Sequence, residues 1–118
     1  MSSALQAFIN RVPNRRTIVF PDGATYLLGG YGIRLEGRRD LEFRGRATLR
    51  ITGCDAMDSA FYLIGSTSRI TIRYLSIVGQ NRLGGTTRSH LGSCQQQHGI
   101  ALYGASRVTV AKVRIRDL

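Results

Sequence analysis

Apolar and polar residues alternate along this chain in short bursts, and the bursts recur. Ile33-Arg-Leu-Glu, Phe61-Tyr-Leu-Ile and Ile100-Ala-Leu-Tyr each place apolar side chains at alternate positions, and each is closed by a glycine, at Gly37, Gly65 and Gly104. A period of two sends successive side chains to opposite faces, so these segments are expected to be three equivalent strands, each with one buried face. A second strand follows each at a short distance: Leu41-Glu-Phe43, Ile70-Thr-Ile72 and Val108-Thr-Val110. The connecting Gly-Arg-Arg-Asp, Gly-Ser-Thr-Ser-Arg and Gly-Ala-Ser-Arg segments are made of small and polar turn formers. A third strand completes each unit: Leu49-Arg-Ile51, Leu75-Ser-Ile77 and Val113-Arg-Ile115. Aligned in this way, Leu49, Leu75 and Val113 are expected to form one interior column. The outward rows are then Arg50, Ser76, Arg114 and Thr52, Val78, Arg116.

Equivalent strands at unequal spacing, with the variation confined to connections, are the mark of a solenoid whose insertions leave the stacked strands in register. The main insertion is expected over 79–97. Upstream, Leu5, Phe8, Ile9 and Val12 share a helical face, Ser2 or Ser3 serves as N-cap and Pro13 as stop, which predicts a short helix capping the open end of the stack. Thr17–Phe20 and Thr25–Leu28 follow as the first strands, separated by the turn Pro21-Asp22-Gly23. The expected fold is therefore all-β: a parallel β-helix of roughly three to four turns with an N-terminal capping helix. It forms one domain over 1–118, with 1–16 as cap and lead-in and 17–118 as turns. No cap is evident near Leu118, so the chain is expected to be truncated at its C-terminal end.

Length agrees with a single domain, since 118 residues suffice for one core at most. A mean hydropathy of −0.10 and the absence of any long apolar run exclude a membrane-spanning helix, and the opening residues carry no secretory signal pattern. The formal charge of +10 is almost all arginine, because Lys112 is the one lysine. A basic surface attracts polyanions, yet arginines scattered along every segment also arise from replacement of lysine by coding bias, and no single basic run marks a tail. Cys54 and Cys94 both fall in connections, where sequence alone neither pairs nor separates them. No Cys or His spacing fits zinc and no carboxylate cluster fits calcium, so neither a metal nor another cofactor is expected. Gly29-Gly-Tyr-Gly32 opens no helix and is a weak phosphate cradle.

With these strands laid out, the chain resembles the right-handed parallel β-helix superfamily, the pectate-lyase and polygalacturonase-like group. The resemblance rests on Ala4-Leu-Gln-Ala-Phe-Ile9, on Ile18-Val-Phe-Pro-Asp-Gly23 with Tyr26, and on His98-Gly-Ile-Ala-Leu-Tyr-Gly-Ala-Ser-Arg-Val-Thr-Val110. It implies right-handed coiling, an extracellular location, and a polysaccharide, uronate-containing or neutral, as partner; neither nucleic acid nor a membrane is expected. Two departures stand out. The turn position where the family stacks asparagines holds Asp40, Arg69 and Arg107, and the polygalacturonase motifs Asn-Thr-Asp, Asp-Asp, Gly-His-Gly and Arg-x-Lys are missing.

The resemblance also places the substrate cleft on the outer face of the third strands and the following loop. This makes Arg50, Arg114 and Arg116 candidate contacts for a carboxylated sugar, a role that suits guanidinium geometry; an ordinary solvated face is the alternative. The loop and its flank add Asn81, Arg82, Arg88, His90 and His98, among Gln95, Gln96 and Gln97, as hydroxyl partners, with a structural hydrogen bond favoured over catalysis for His98. Glycoside hydrolysis needs two carboxyl groups about 5 to 9.5 Å apart, and none of Asp22, Glu36, Asp40, Glu42, Asp55, Asp58 and Asp117 is expected to pair on the cleft face. Catalytic residues remain unassigned and are expected beyond Leu118. The functional expectation is the N-terminal part of a polysaccharide hydrolase or lyase; the alternative is a non-catalytic glycan-binding or structural β-helix.

Overall fold

The computed structural model describes residues 2–29, 31–52, 59–80 and 98–118. A helix, α1 (Ser2–Arg11), precedes eleven strands. They are β1 (Arg16–Val19), β2 (Thr25–Leu28), β3 (Ile33–Glu36), β4 (Arg39–Arg44), β5 (Thr48–Ile51), β6 (Ser59–Ile64), β7 (Ser68–Arg73), β8 (Ser76–Val78), β9 (His98–Tyr103), β10 (Ser106–Ala111) and β11 (Arg114–Arg116). Each strand pairs in parallel with the strand three places along the chain. Three sheets result: sheet A in the order β1-β4-β7-β10, sheet B in the order β2-β5-β8-β11, and sheet C in the order β3-β6-β9. The chain is thus mostly β and wholly parallel, with one short helix, an arrangement compatible with a β-helix-like solenoid. Its layers are β1–β3, β4–β6, β7–β9 and β10–β11.

Two of the three expected alignments hold. In sheet C, Ile33 faces Phe61 and Phe61 faces Ile100. In sheet A, Leu41, Ile70 and Val108 form one column, and Phe43, Ile72 and Val110 the next. Sheet B departs from expectation by two residues. Leu49 pairs with Ile77 and Ile77 with Ile115, so the expected column of Leu49, Leu75 and Val113 does not form. Leu75 stands one pleat earlier, beside Ala47: Ser76 N–H donates to Ala47 C=O, and Arg114 N–H to Leu75 C=O. The expected alignment would need a second-layer corner three residues longer than the third-layer one, and it is longer by one. Phe43 is joined to Ala47 through Arg44, Gly45 and Arg46, whereas Ile72 reaches Leu75 through Arg73 and Tyr74 alone. Gly45 takes a φ of 137° and a Cβ there would lie 2.3 Å from Phe20 C=O, so only glycine fits this longer corner. A slip of two preserves the face, and Leu49 and Leu75 are both fully buried.

The core runs up the middle of the stack. Leu35, Phe43, Leu49, Ile51, Phe61, Leu63, Ile70, Ile72, Leu75 and Ile77 are all completely buried, and each such side chain contributes about 1.5 to 3 kcal/mol relative to exposure. Phe43 and Phe61 meet edge to face, with centroids 5.3 Å apart, and join sheets A and C. At the corner after the sheet C strands, buried Thr67 donates to Leu35 C=O and accepts from Arg38 N–H, tying adjacent layers together.

The helix covers the first layer, as its apolar stripe predicts. Ile9 is fully buried, while Leu5 and Val12 pack against the core at its margin. Phe8, expected on the same face, is half exposed; one residue is 100° of helix, and the side chain before Ile9 overhangs the strands. The Gln6 amide takes the place of a neighbouring strand on β3: its Oε1 accepts from Arg34 N–H at 2.7 Å and its Nε2 donates to Arg34 C=O at 2.9 Å. Arg38 closes the helix C-terminus by donating to the Ile9 and Val12 carbonyls and to Asn14 Oδ1.

Candidate functional site

Because adjacent strands are stacked in parallel, the outward side chains of sheet A fall into columns. The corner entering the sheet carries Arg15, Asp40, Arg69 and Arg107, one from each layer, all in the left-handed conformation with φ between 54° and 67°. A left-handed backbone costs a non-glycine residue about 1 to 2 kcal/mol, so the corner geometry is imposed by the stack. Where the resemblance puts asparagines, the chain has an arginine column interrupted by one aspartate. Arg69 grips that aspartate through two contacts, Nε to Oδ1 at 2.7 Å and Nη2 to Oδ2 at 3.2 Å. The next column is Thr17, Glu42, Thr71 and Thr109. Glu42 Oε2 is shielded from solvent without a hydrogen-bond partner, and Arg73 Nε is 4.0 Å away.

The corner leaving sheet A is of a different kind. Tyr74 and Lys112 occupy it in consecutive layers, with φ of 65° and 54°, and the Lys112 ammonium lies 5.7 Å from the Tyr74 ring centroid. Together with Arg46, Thr48, Ser76 and Arg114 they border an open cavity of about 550 Å³ that reaches onto the outer face of sheet B. Three cations and no carboxylate line it. Among the described residues none of Arg46, Lys112 and Arg114 has an ion-pair partner.

Of the residues singled out from sequence, Arg114 belongs to this cavity. Its outward neighbours in sheet B are Ser76 and Thr48, while Arg50 and Arg116 flank Val78 in the adjacent column. Of the expected rows Arg50, Ser76, Arg114 and Thr52, Val78, Arg116, the pairings of Ser76 with Arg114 and Val78 with Arg116 hold, while the two-residue slip puts Thr48 beside Ser76 and Arg50 beside Val78. Arg116 is ion-paired with Asp117 at 2.8 Å. His98 begins β9, exposed, in register with Ser59 on sheet C, away from the cavity. Asn81, Arg82, Arg88, His90, both cysteines, Asp55 and Asp58 lie outside the described residues. Arg46, Tyr74 and Lys112 were missed because they read as plain turn residues, and a turn side chain gains neighbours only once the layers are in register.

Sheet C carries a third outward pattern, an aromatic stack. Tyr31 and Tyr62 lie 4.5 Å apart by ring centroid, Tyr62 and Tyr103 5.3 Å, and Arg34 covers the free side of Tyr31 at 5.6 Å. The rings meet at tilts of 49° and 44° and link neighbouring layers. No group of His, Cys, Asp and Glu among the described residues is arranged to hold a metal ion. No protein-family model matches the chain, and neither a curated protein nor a solved structure is detectably similar to it.

Proposed function

We propose that the chain is a right-handed parallel β-helix of the pectate-lyase-like kind and that it binds acidic polysaccharide on the outer face of sheet B. Right-handed coiling follows from the strong preference of parallel crossover connections for that hand. The observation that carries the binding reading is the carboxylate-free cavity of Arg46, Lys112 and Arg114 beside the hydroxyls of Thr48 and Ser76. Guanidinium groups pair with carboxylates and hydroxyls accept and donate to sugar hydroxyls, so this lining matches a uronate unit in both charge and hydrogen bonding. An extracellular location accompanies this reading, since such polymers are outside cells.

Binding without catalysis is the better supported form. Asp40 and Glu42 are the two carboxylates on one outward strand face; Asp40 is held by Arg69 through two contacts, and Glu42 has Arg73 at 4.0 Å. Hydrolysis or β-elimination would use residues other than these.

Calorimetric titration with oligogalacturonate tests the reading. Binding is expected at low ionic strength and should weaken as salt rises. The Lys112→Gln/Arg114→Gln variant is expected to lose affinity about 25-fold, taking roughly fivefold for each exposed charge contact. Equal affinity for the methyl-esterified, uncharged oligomer would overturn it, as would no binding at all.

A further inference from the structure

The charge on this chain is unevenly divided along the stack. Up to Asp58 there are nine basic and six acidic residues, whereas from Ser59 onward there are eight basic residues and one acid, Asp117. The acids of the early layers stand on the outward faces: Glu36 beside Arg34, Asp40 under Arg69, and Glu42 near Arg73. A polyanion running parallel to the stack, across the layers of sheet A, would therefore cross Asp40 and Glu42 in the second layer.

The fourth layer offers another path. Arg107 opens β10, Lys112 follows its end and Arg114 begins β11, all three exposed and, among the described residues, without an ion-pair partner. Between Arg107 and Lys112 the outward positions are Thr109 and Ala111, the first a hydroxyl in line with Thr71. Five residues of extended chain separate the two cations by about 17 Å. Arg107 also borders one end of a groove of about 530 Å³ that runs back across sheet A past Thr71 and Arg69 to Arg15, with Asp40 and Glu42 in its lining.

We infer that an acidic glycan lies along the strands of the fourth layer, across the sheet A to sheet B corner, with Arg107 as a second anion subsite beyond Lys112 and Arg114. This rests on the acidic-glycan reading and adds a direction to it. The chain's own charges favour that direction: from Arg107 through Thr109 and Ala111 to Lys112 and Arg114 no carboxylate is passed, whereas a path across the layers of sheet A passes Asp40 and Glu42.

Arg107 and Arg15 make the test sharp, because both stand in the same corner column at opposite ends of the stack. Calorimetric titrations would use a galacturonate disaccharide, too short to reach from Lys112 to Arg107, and a long oligomer that spans the distance. Arg107→Gln should weaken the long oligomer about fivefold and leave the disaccharide unchanged, and Arg15→Gln should leave both unchanged. Both sites are exposed, and unaltered melting of each variant confirms that the fold is intact. A loss on Arg15→Gln, or an unchanged long oligomer on Arg107→Gln while the Lys112→Gln/Arg114→Gln variant still loses affinity, overturns the direction and leaves the binding reading standing. Absence of binding to the unaltered chain removes both.

Discussion

The two ends of the stack are built from the same repeat and finished in different ways. At the first layer, α1 lays Ile9 over the core, Gln6 satisfies the backbone edge of β3, and Arg38 pins the helix terminus. At the last strand of each sheet the equivalent apolar positions meet water: Leu102 of β9, Val110 of β10 and Ile115 of β11 are 48%, 46% and 44% exposed. Leu35, Leu63 and Leu102 belong to one register column, and burial falls from complete in the first two to about half in the third. Sequence pattern marks a residue as inward-facing, but only a covering layer makes it buried. Among the described residues the carboxylates Glu36, Asp40 and Glu42 of the first two layers hold Arg34, Arg69 and Arg73 in ion pairs, while Arg46, Arg107, Lys112 and Arg114 have no ion-pair partner.

The sharpest way to break this comparison is a matched pair of deletions in that column. Leu63→Ala should cost about 3 to 5 kcal/mol, because it opens a cavity between covered layers. Leu102→Ala should cost less than about 1 kcal/mol, since much of the side chain is already solvated. Urea denaturation followed by circular dichroism measures both, and equal losses would show that β9 is as well covered as β6. A smaller effect separates the arginines. Arg38→Ala should cost about 2 to 3 kcal/mol through its lost charged hydrogen bonds to the helix terminus, while Arg107→Ala should stay within about 0.5 kcal/mol. Thermal melting of the two variants side by side would read this contrast.

Much of this architecture was legible in the residues. Alternation at Ile33, Phe61 and Ile100, together with the glycines that close those strands, suffices to align sheet C, because a period of two with one apolar face leaves no freedom to slip by one. Sheet B shows the limit. Leu-x-Ile recurs at Leu49 and Leu75, and pattern alone cannot reveal that the corner before β5 is only one residue longer than the corner before β8, since a two-residue slip keeps every apolar side chain on the inner face. The site was legible in its chemistry but not in its membership. Arg114 was identifiable from its outward position, whereas Arg46, Tyr74 and Lys112 become neighbours through corner geometry. The left-handed backbone at Asp40, Arg69 and Arg107 follows from their common turn position, yet no local preference of arginine announces it.

The outward columns of sheet B, and with them the grouping of Arg46 and Thr48 with the cations at the corner, depend on the register between β5 and β8. Disulfide trapping measures that register directly in a background with Cys54 and Cys94 replaced by serine. Directly paired residues on neighbouring strands lie about 4.8 Å apart, inside the range a disulfide spans, whereas a two-residue offset separates them by roughly 8 Å. Thr48→Cys combined with Ser76→Cys should therefore cross-link readily under mild oxidation, and Arg50→Cys combined with Ser76→Cys should not. The reverse result would restore the alignment of Leu49 with Leu75 and dismantle the cavity around Arg114.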